Sequence, residues 1–250
     1  MQRYFVPESN WQENQVIITG DDVHHITRVM RMDVKDKIIC NHPNGKSCVC
    51  EITAKDDDQV VTTIITWQKE NVELPVYVTI AQGLPKGDKL ELILQKGTEL
   101  GAASFIPFQA ARSIVKWDEK KASKKLSRLR KIAKEASEQS HRTLLPIVED
   151  ITTFPELLMT SDTYQHRFVA YEETTRGLPS KKLSHYFQKI QPGEHVCICI
   201  GPEGGFSDSE IEQFKQHEFT FIRLGPRILR TETAALYALA SLSYYFEEME

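Results

Sequence analysis

The 250-residue sequence predicts an α/β protein: a mostly parallel sheet with crossover helices over residues 73–250, preceded by a small, mostly β domain over 1–72. Three observations carry this reading. Up to about residue 72 the chain is a series of short Val-, Ile- and Thr-rich runs bounded by turn residues, which is the pattern of strands. After Pro75 apolar runs alternate with amphipathic helical stretches, and that alternation implies parallel strands joined by crossovers. Two of the later strands run directly into glycine-bearing loops that end in helix starts. In open α/β sheets, ligands gather at such carboxyl ends.

In the first domain the strands are "QVIITG", "KIICN", "SCVCEITAK" and "QVVTTIITWQ", and "HPNGKS" (42–47) is a hairpin turn between two of them. Gly45-Lys46-Ser47 imitates the end of a phosphate-binding loop, but Cys40 stands where that motif needs glycine. "DDVHHITRVMRM" (21–32) is the one helical piece, with Asp21 or Asp22 as its cap. Adjacent His24 and His25 leave a helix on different sides, so one packs, one is exposed, and they do not share a metal. The five cysteines form no C-x-x-C pair. C-x-C in a strand places both thiols on one face, and they read as reduced core residues.

The second domain reads in order as strand "VYVTIAQGL" (76–84), helix "GDKLELILQKGTELG" (87–101), strand "SFIPFQ" (104–109) and the long basic helix "EKKASKKLSRLRKIAKEASEQS". Gly101 stops the first of these helices. A short helix "TFPELLM", strand "RFVAYEE" (167–173) and helix "KKLSHYFQKI" follow. "HVCICIGPEGG" (195–205) is an apolar central strand entering a loop, in which Gly201, Gly204 and Gly205 allow tight turning. Ser207 and Glu210 form a capping box that starts the next helix. "FTFIRLG" (219–225) repeats the pattern: strand, Gly225, loop, then Thr231 as the cap of the last helix. The two glycine loops are expected side by side. "TAALYALASLSYYF" is apolar on nearly every face, which calls for cover on all sides and, for a terminal element, favours a second subunit.

The net charge of −4 hides an asymmetry. Arg112–Arg142 holds eleven Lys and Arg against four acidic residues, whereas residues 143–250 hold nine basic against sixteen acidic. A concentrated basic stripe points to a polyanionic partner. The N-terminus lacks the long apolar stretch of a signal peptide. No run of about 18 apolar residues occurs either, so no membrane span and a cytoplasmic location are expected. There is no G-x-G-x-x-G, Ser-His-Asp or H-E-x-x-H pattern. A pocket lined by backbone amides and carbonyls suits a neutral hydrogen-bonding group such as an adenine ring.

The stretches "HHITRVMRM", "KGDKLELILQKGTELG", "IPFQAARS", "RLRKIAKEASEQSHR", "IGPEGGFSDSE" and "RLGPRILRTETAALYAL" span nearly the whole chain. In that order they resemble the RsmE-type ribosomal RNA methyltransferases of the SPOUT class. The resemblance implies a PUA-like β-barrel RNA-binding domain (1–72) and an α/β-knot methyltransferase domain (73–250) whose end is threaded as a trefoil knot. It implies methyl transfer from S-adenosyl-L-methionine to N3 of a uridine in the 16S rRNA of the small ribosomal subunit. A sulfonium methyl is already activated, so no metal is expected, no membrane partner is expected, and the all-round apolar last helix points to a homodimer. Ile200, Gly201, Pro202, Gly205, Leu224, Gly225, Ile228, Leu229 and Thr233 would hold the cofactor.

N3 of uracil attacks well when its proton is leaving and the charge growing on O2 and O4 is stabilised. Glu203 and Glu232 are candidate bases and Arg230 the candidate stabiliser, with a helix-start role as the competing reading of Glu232. Arg28 and Arg31 of the first domain, with Lys86, Lys89, Lys96, Arg112 and the basic helix, form the expected RNA-facing set. The rival functions are a non-catalytic RNA-binding or ribosome-assembly factor on the same fold, and the same chemistry on another RNA.

Overall fold

The computed structural model describes residues 1–69, 72–117, 119–171 and 181–249. The chain divides into two compact units, residues 1–73 with 137–145, and 74–136 with 146–250. No helix among the described residues is long and apolar enough to cross a membrane.

In the first unit, strands β1 (Arg3–Phe5), β2 (Gln15–Thr19), β3 (Lys37–Asn41), β4 (Ser47–Lys55) and β5 (Gln59–Trp67) form one sheet in the order β1-β3-β4-β5-β2. The β1–β3 pair is parallel and the rest are antiparallel. Register shifts in β4 at Val49/Cys50 and Ile52/Ala54 bend the strand and curl the sheet around a core of Tyr4, Val16, Ile18, Ile38, Ile52 and Val60. The turn at 42–47 is the expected hairpin, with Gly45 at φ +84. Cys40, Cys48 and Cys50 are free and buried, and the Cys48 and Cys50 sulfurs lie 3.4 Å apart on one face.

The helical piece differs in detail from the sequence reading. One α-turn, α1 (Asp21–His24), opens into a wider π-type turn over His25–Val29. Its N-cap is Gly20 at φ +70, while Asp21 and Asp22 occupy the first turn, where the helix dipole favours them. The Tyr4 hydroxyl and His25 Nδ1 are hydrogen-bonded at 3.0 Å, and His24 is exposed.

Residues 137–145 join this unit through polar contacts that no sequence motif marks. Asn41 Nδ2 donates to the carbonyl of Arg142 at 3.0 Å, and Glu73 accepts from Arg142 Nε at 3.0 Å and from the Thr143 amide at 2.8 Å.

The second unit contains β6 (Tyr77–Gly83), α2 (Lys89–Glu99), β7 (Ser104–Gln109), α3 (Glu119–Gln139), β8 (Ile147–Val148), β9 (Thr152–Thr153), α4 (Phe154–Thr160) and β10 (His166–Ala170). It continues with α5 (Leu183–Phe187), β11 (His195–Ile200), α6 (Asp208–Gln216), β12 (Thr220–Ile222) and α7 (Thr231–Ser243). The sheet runs β12-β10-β11-β6-β7-β8, with β9 also pairing β7, and every pair is parallel.

The two-residue period of β11 sorts its side chains cleanly. Val196, Ile198 and Ile200 enter the core that holds Leu90, Ile93, Leu129, Phe187 and Leu239 from the helices of one face. Cys197 and Cys199 enter the opposite core with Phe154, Leu157, Ile211 and Phe214. Burial raises the Cys199 thiol well above its ordinary pKa, so it is inert packing. Two elements are shorter than the sequence suggests: the strand over 219–225 ends at Ile222, and the helix over 181–190 reduces to Leu183–Phe187. Residues 172 and 173, expected at the end of a strand, lie outside the described residues.

Candidate cofactor and RNA site

The sequence predicts the two glycine loops beside each other. In the sheet, β10 stands between β11 and β12, so the loops flank its carboxyl end instead. They converge above it on a cleft of about 600 Å³, to which β10 and the residue after it contribute Ala170 and Tyr171.

The first loop follows β11 and includes Gly201–Phe206. Gly205 sits at φ +64, and its amide donates to the Pro202 carbonyl at 2.9 Å. That backbone conformation costs a Cβ-bearing residue about 1–2 kcal/mol. Gly204 is needed for close approach: a Cβ there would stand 3.0 Å from Arg112 Cβ and 3.2 Å from its carbonyl. The capping box forms as expected, with Ser207 Oγ accepting from the Glu210 amide at 3.3 Å and Glu210 Oε2 accepting from the Ser207 amide at 2.8 Å. Buried Glu210 does more than the motif asks. Its other oxygen accepts from the Ala111 amide at 2.8 Å and so fixes the segment carrying Arg112.

The second loop, 223–230, follows β12. Leu224 is buried and Leu229 packs against the core, but Ile228 is 71% exposed. Gly225 adopts φ +80. Thr231 does not cap α7 as the sequence suggests. Arg230 takes the N-cap position without a side-chain bond, and the Thr231 hydroxyl turns back into the sheet. It donates to the Gly201 carbonyl at 2.6 Å and accepts from Gln82 Nε2 at 2.8 Å. A buried hydroxyl thus joins the end of β6, the first loop and the last helix. Sequence reasoning misses Gln82 because one glutamine in an apolar strand carries no motif.

The expected cofactor residues Ile200, Gly201, Pro202, Gly205, Leu224, Gly225, Ile228 and Leu229 all line this cleft. Thr233 does not: two residues past Thr231, the helical turn carries it to the other side of α7, where it is exposed. Arg230 and Glu203 line the cleft, as do Arg223 and Arg227, which belong to the same stretch as Arg230 but are not among the expected site residues. Glu232 sits just outside the lining with a side chain 14% exposed. The Arg230 guanidinium is exposed and has no hydrogen-bond or ionic partner among the described residues.

Of the expected RNA-facing residues, Lys89 and Arg112 line the cleft. Arg112 Nη1 donates to the Gly204 carbonyl at 3.3 Å. Lys86 is exposed beside the cleft, its amide 3.2 Å from Glu203 Oε1. Lys96 instead pairs with Glu99 one helical turn on, at 2.8 Å. In the first unit Arg28 is exposed and pairs with Asp57 at 3.2 Å, and Arg31 is exposed at φ +55.

Glu203 and Glu232 both face Lys89, whose Nζ lies 2.7 Å from Glu203 Oε1 and 3.4 Å from Glu232 Oε2. Burial would raise the Glu203 pKa, but the Lys89 bond and the Lys86 amide outweigh it and hold the carboxyl below its ordinary value, a case of hydrogen bonding to the charged form winning over desolvation. The same bond to Glu203 raises the Lys89 pKa against a smaller opposing effect of burial. A carboxylate so stabilised is a weak base. The arrangement is therefore a glycine-walled, partly apolar cleft lined by four arginines, with one lysine held between two carboxylates beside it.

That combination defines a class: an α/β protein built to hold a hydrogen-bonding ligand at its sheet ends and a polyanion beside it. Comparison with known proteins agrees and sharpens it. Residues 72–243 match the model of an RNA methyltransferase domain and residues 18–65 that of an RNA methyltransferase PUA domain. The ribosomal RNA small subunit methyltransferase E of Bacillus subtilis is 48% identical over 250 residues, covering 99% of this chain and 98% of that protein. Its counterpart from Synechocystis is 33% identical, covering 94% and 75%. Among solved structures, a ribosomal RNA small subunit methyltransferase E from Neisseria gonorrhoeae bound to S-adenosyl methionine superposes with TM-score 0.85 at 29% identity, covering 98% of both chains. A putative methyltransferase from Legionella pneumophila in complex with the cofactor SAM gives TM-score 0.85 at 30% identity over 97% of both. The chain belongs to the ribosomal RNA small subunit methyltransferase E family, with the SPOUT α/β fold and PUA-like first domain that the sequence resemblance implies.

Proposed function

We propose that this chain transfers a methyl group from S-adenosyl-L-methionine to N3 of a uridine in the 16S rRNA of the small ribosomal subunit. The observation that carries the reading is the cleft itself, in which two glycine loops joined by Thr231 stand beside the exposed Arg230. Its volume of about 600 Å³ lies within the range of cofactor sites. Ile200, Leu224 and Leu229 offer apolar walls for an adenine, and the loops offer backbone polar groups for its edges. The cofactor, when bound, supplies an already activated methyl group, so positioning is the main task.

The chain's own residues act on the uracil. Arg230, in the cleft lining and without a partner among the described residues, stabilises the negative charge that develops on O2 or O4 as the N3 proton leaves. Glu203, held ionised beside Lys89, is poorly suited to remove that proton as a strong base, so the N3 proton passes to solvent water as the methyl group moves, leaving the neutral thioether S-adenosylhomocysteine. The imide is made reactive mainly by cationic stabilisation. Arg112, Arg223 and Arg227 add positive charge for the RNA backbone.

The active form is a homodimer. On α7, Ala234, Ala235, Ala238, Leu239 and Leu242 are buried within the chain, but Tyr237 and Ala240, and Tyr244 just after the helix, are exposed. They border a second cleft of about 560 Å³ that Phe187, Pro226 and Met249 also line. A symmetric partner is the usual cover for such a face. The deciding experiment is mass spectrometry of small-subunit rRNA from a strain lacking the gene. One uridine should lose a methyl group and regain it on re-expression; an unchanged rRNA would sink the reading.

A further inference from the structure

Lys89 opens α2, where a lysine invites assignment to the RNA surface. Its surroundings argue for another role. An ammonium carries three N–H donors. Here it has two carboxylate neighbours, Glu203 at 2.7 Å and Glu232 at 3.4 Å. The second pairing is the looser, since Glu232 Oε2 is buried and makes no well-formed hydrogen bond. These two acids come from different segments, Glu203 from the cleft lining and Glu232 from just outside it. Glu203 belongs to the loop after β11, and Glu232 to the first turn of α7, which the second loop feeds directly. From these contacts we infer that Lys89 is a positioning residue, a clamp that holds the two glycine loops at a fixed separation and so sets the width of the cofactor cleft.

The anchor under the clamp is rigid. Leu90, Ile93 and Leu94 of α2 are buried in the main core. Gly97 of the same helix lies so close to Phe105 that a Cβ would stand 2.8 Å from its ring, with Leu239 of α7 3.3 Å away. The loops carry polar ties in addition to their own packing: Thr231 to Gly201, and Lys86 and Lys89 to Glu203. Lys89 thus ties a packed helix to the first loop through Glu203 and to the start of α7, where the second loop ends, through Glu232. It also consumes the charge that an RNA phosphate would need. The charged groups around Glu203 are Lys89 from α2, Lys86 from the segment before it, Glu232 from α7, and Arg112 and Arg230 on the cleft rim.

The inference rests on the cofactor reading of the cleft, and the test separates the two. Lys89→Met and Lys89→Arg are made in the full chain, with Glu203→Gln as a second cut through the same clamp. S-adenosyl-L-methionine binding is followed by calorimetry, and RNA binding by its salt dependence. Lys89→Met and Glu203→Gln should each weaken cofactor binding about tenfold, and the double variant should lose little more than either alone. Lys89→Arg should recover much of the loss, and the salt slope of RNA binding should stay that of the wild type.

The pH course adds a readout that simple packing would not move. Glu203 is held below its ordinary pKa. The clamp is therefore intact at and above the ordinary carboxylate range and is lost as pH falls through the lowered folded value. In Lys89→Met the clamp is already absent, so protonating Glu203 should cost little more, and the acid step in cofactor affinity seen in the wild type should disappear. Wild-type cofactor affinity in Lys89→Met, with a salt slope reduced by about one, would make Lys89 an RNA contact and overturn the clamp. Additive losses in the double variant would overturn it as well. If the wild-type protein binds no cofactor, the reading of the cleft fails before the clamp is reached.

Discussion

Gly83→Ala tests whether the first glycine loop sits where function needs it. Gly83 ends β6, and an ideal Cβ there would lie 2.6 Å from Pro202 Cδ, 2.9 Å from Pro202 N and 3.3 Å from the Ile200 carbonyl. Optimal carbon contacts are about 3.5–4.0 Å, so the space is short by about 1 Å. Neither obstacle is a side-chain end that can swing aside: one is backbone and the other is a ring fused to it. Overpacking of this kind costs about 1–3 kcal/mol, and for a chain of this size each kcal/mol lowers Tm by about 2–4 °C. The displaced Pro202 lies between Gly201 and Glu203, so the loop moves with it. A misplacement of about 1 Å in a positioning element costs on the order of 10²-fold in turnover.

Gly193→Ala is the matched control. Gly193 has φ +86 and open space where a Cβ would go. Alanine there introduces about 1–2 kcal/mol of backbone strain, away from the cleft. Thermal melting, cofactor calorimetry and methyl incorporation into under-methylated small subunits should show similar losses of Tm for the two variants. Loss of cofactor affinity and turnover should occur in Gly83→Ala alone. A Gly83→Ala protein with lowered Tm but wild-type affinity and turnover would refute the placement of the cofactor against this loop.

Other substitutions probe the rest of the site. Thr231→Val removes the hydroxyl between Gln82 and the Gly201 carbonyl. Buried polar groups are then left unpaired, which should cost about 1–3 kcal/mol in denaturant unfolding together with weakened cofactor binding. Arg230→Ala should cut turnover by about 10²-fold or more while leaving the mass in light scattering unchanged and cofactor affinity within a few-fold. Arg230→Lys should recover little, because a point charge does not replace a planar fork; normal turnover in the alanine variant would make the arginine structural. Arg112→Ala should lower the salt slope of RNA binding by about one, as measured by filter binding across a salt series, with a smaller loss of cofactor affinity from the lost bond to the Gly204 carbonyl. Light scattering should give a dimer mass at micromolar concentrations, and a monomer across that range would refute the partner assigned to α7.

The order of strands and helices was legible in the sequence because hydrophobic period and turn chemistry are local. "HVCICI" reads as a central strand from composition alone, and Ser207 with Glu210 marks a helix start, as both elements bear out. The glycines of the cleft were legible for the same reason, since a positive φ at Gly205 or Gly225 is a property of one residue. What the sequence could not contain was which distant groups meet. That β10 separates the two glycine loops depends on strand order, which no local pattern encodes. Thr231 reads as a cap because Thr before an apolar helix satisfies that rule, yet Gln82, 149 positions away, offers a buried amide that needs a partner. Lys89, Glu203 and Glu232 each look like a separate charged residue with its own role, and folding makes them one cluster. Local preference fixes backbone conformation residue by residue. Desolvation decides which polar side chains pair, because a buried group must find a partner wherever the packed chain provides one, and that choice exists only in three dimensions.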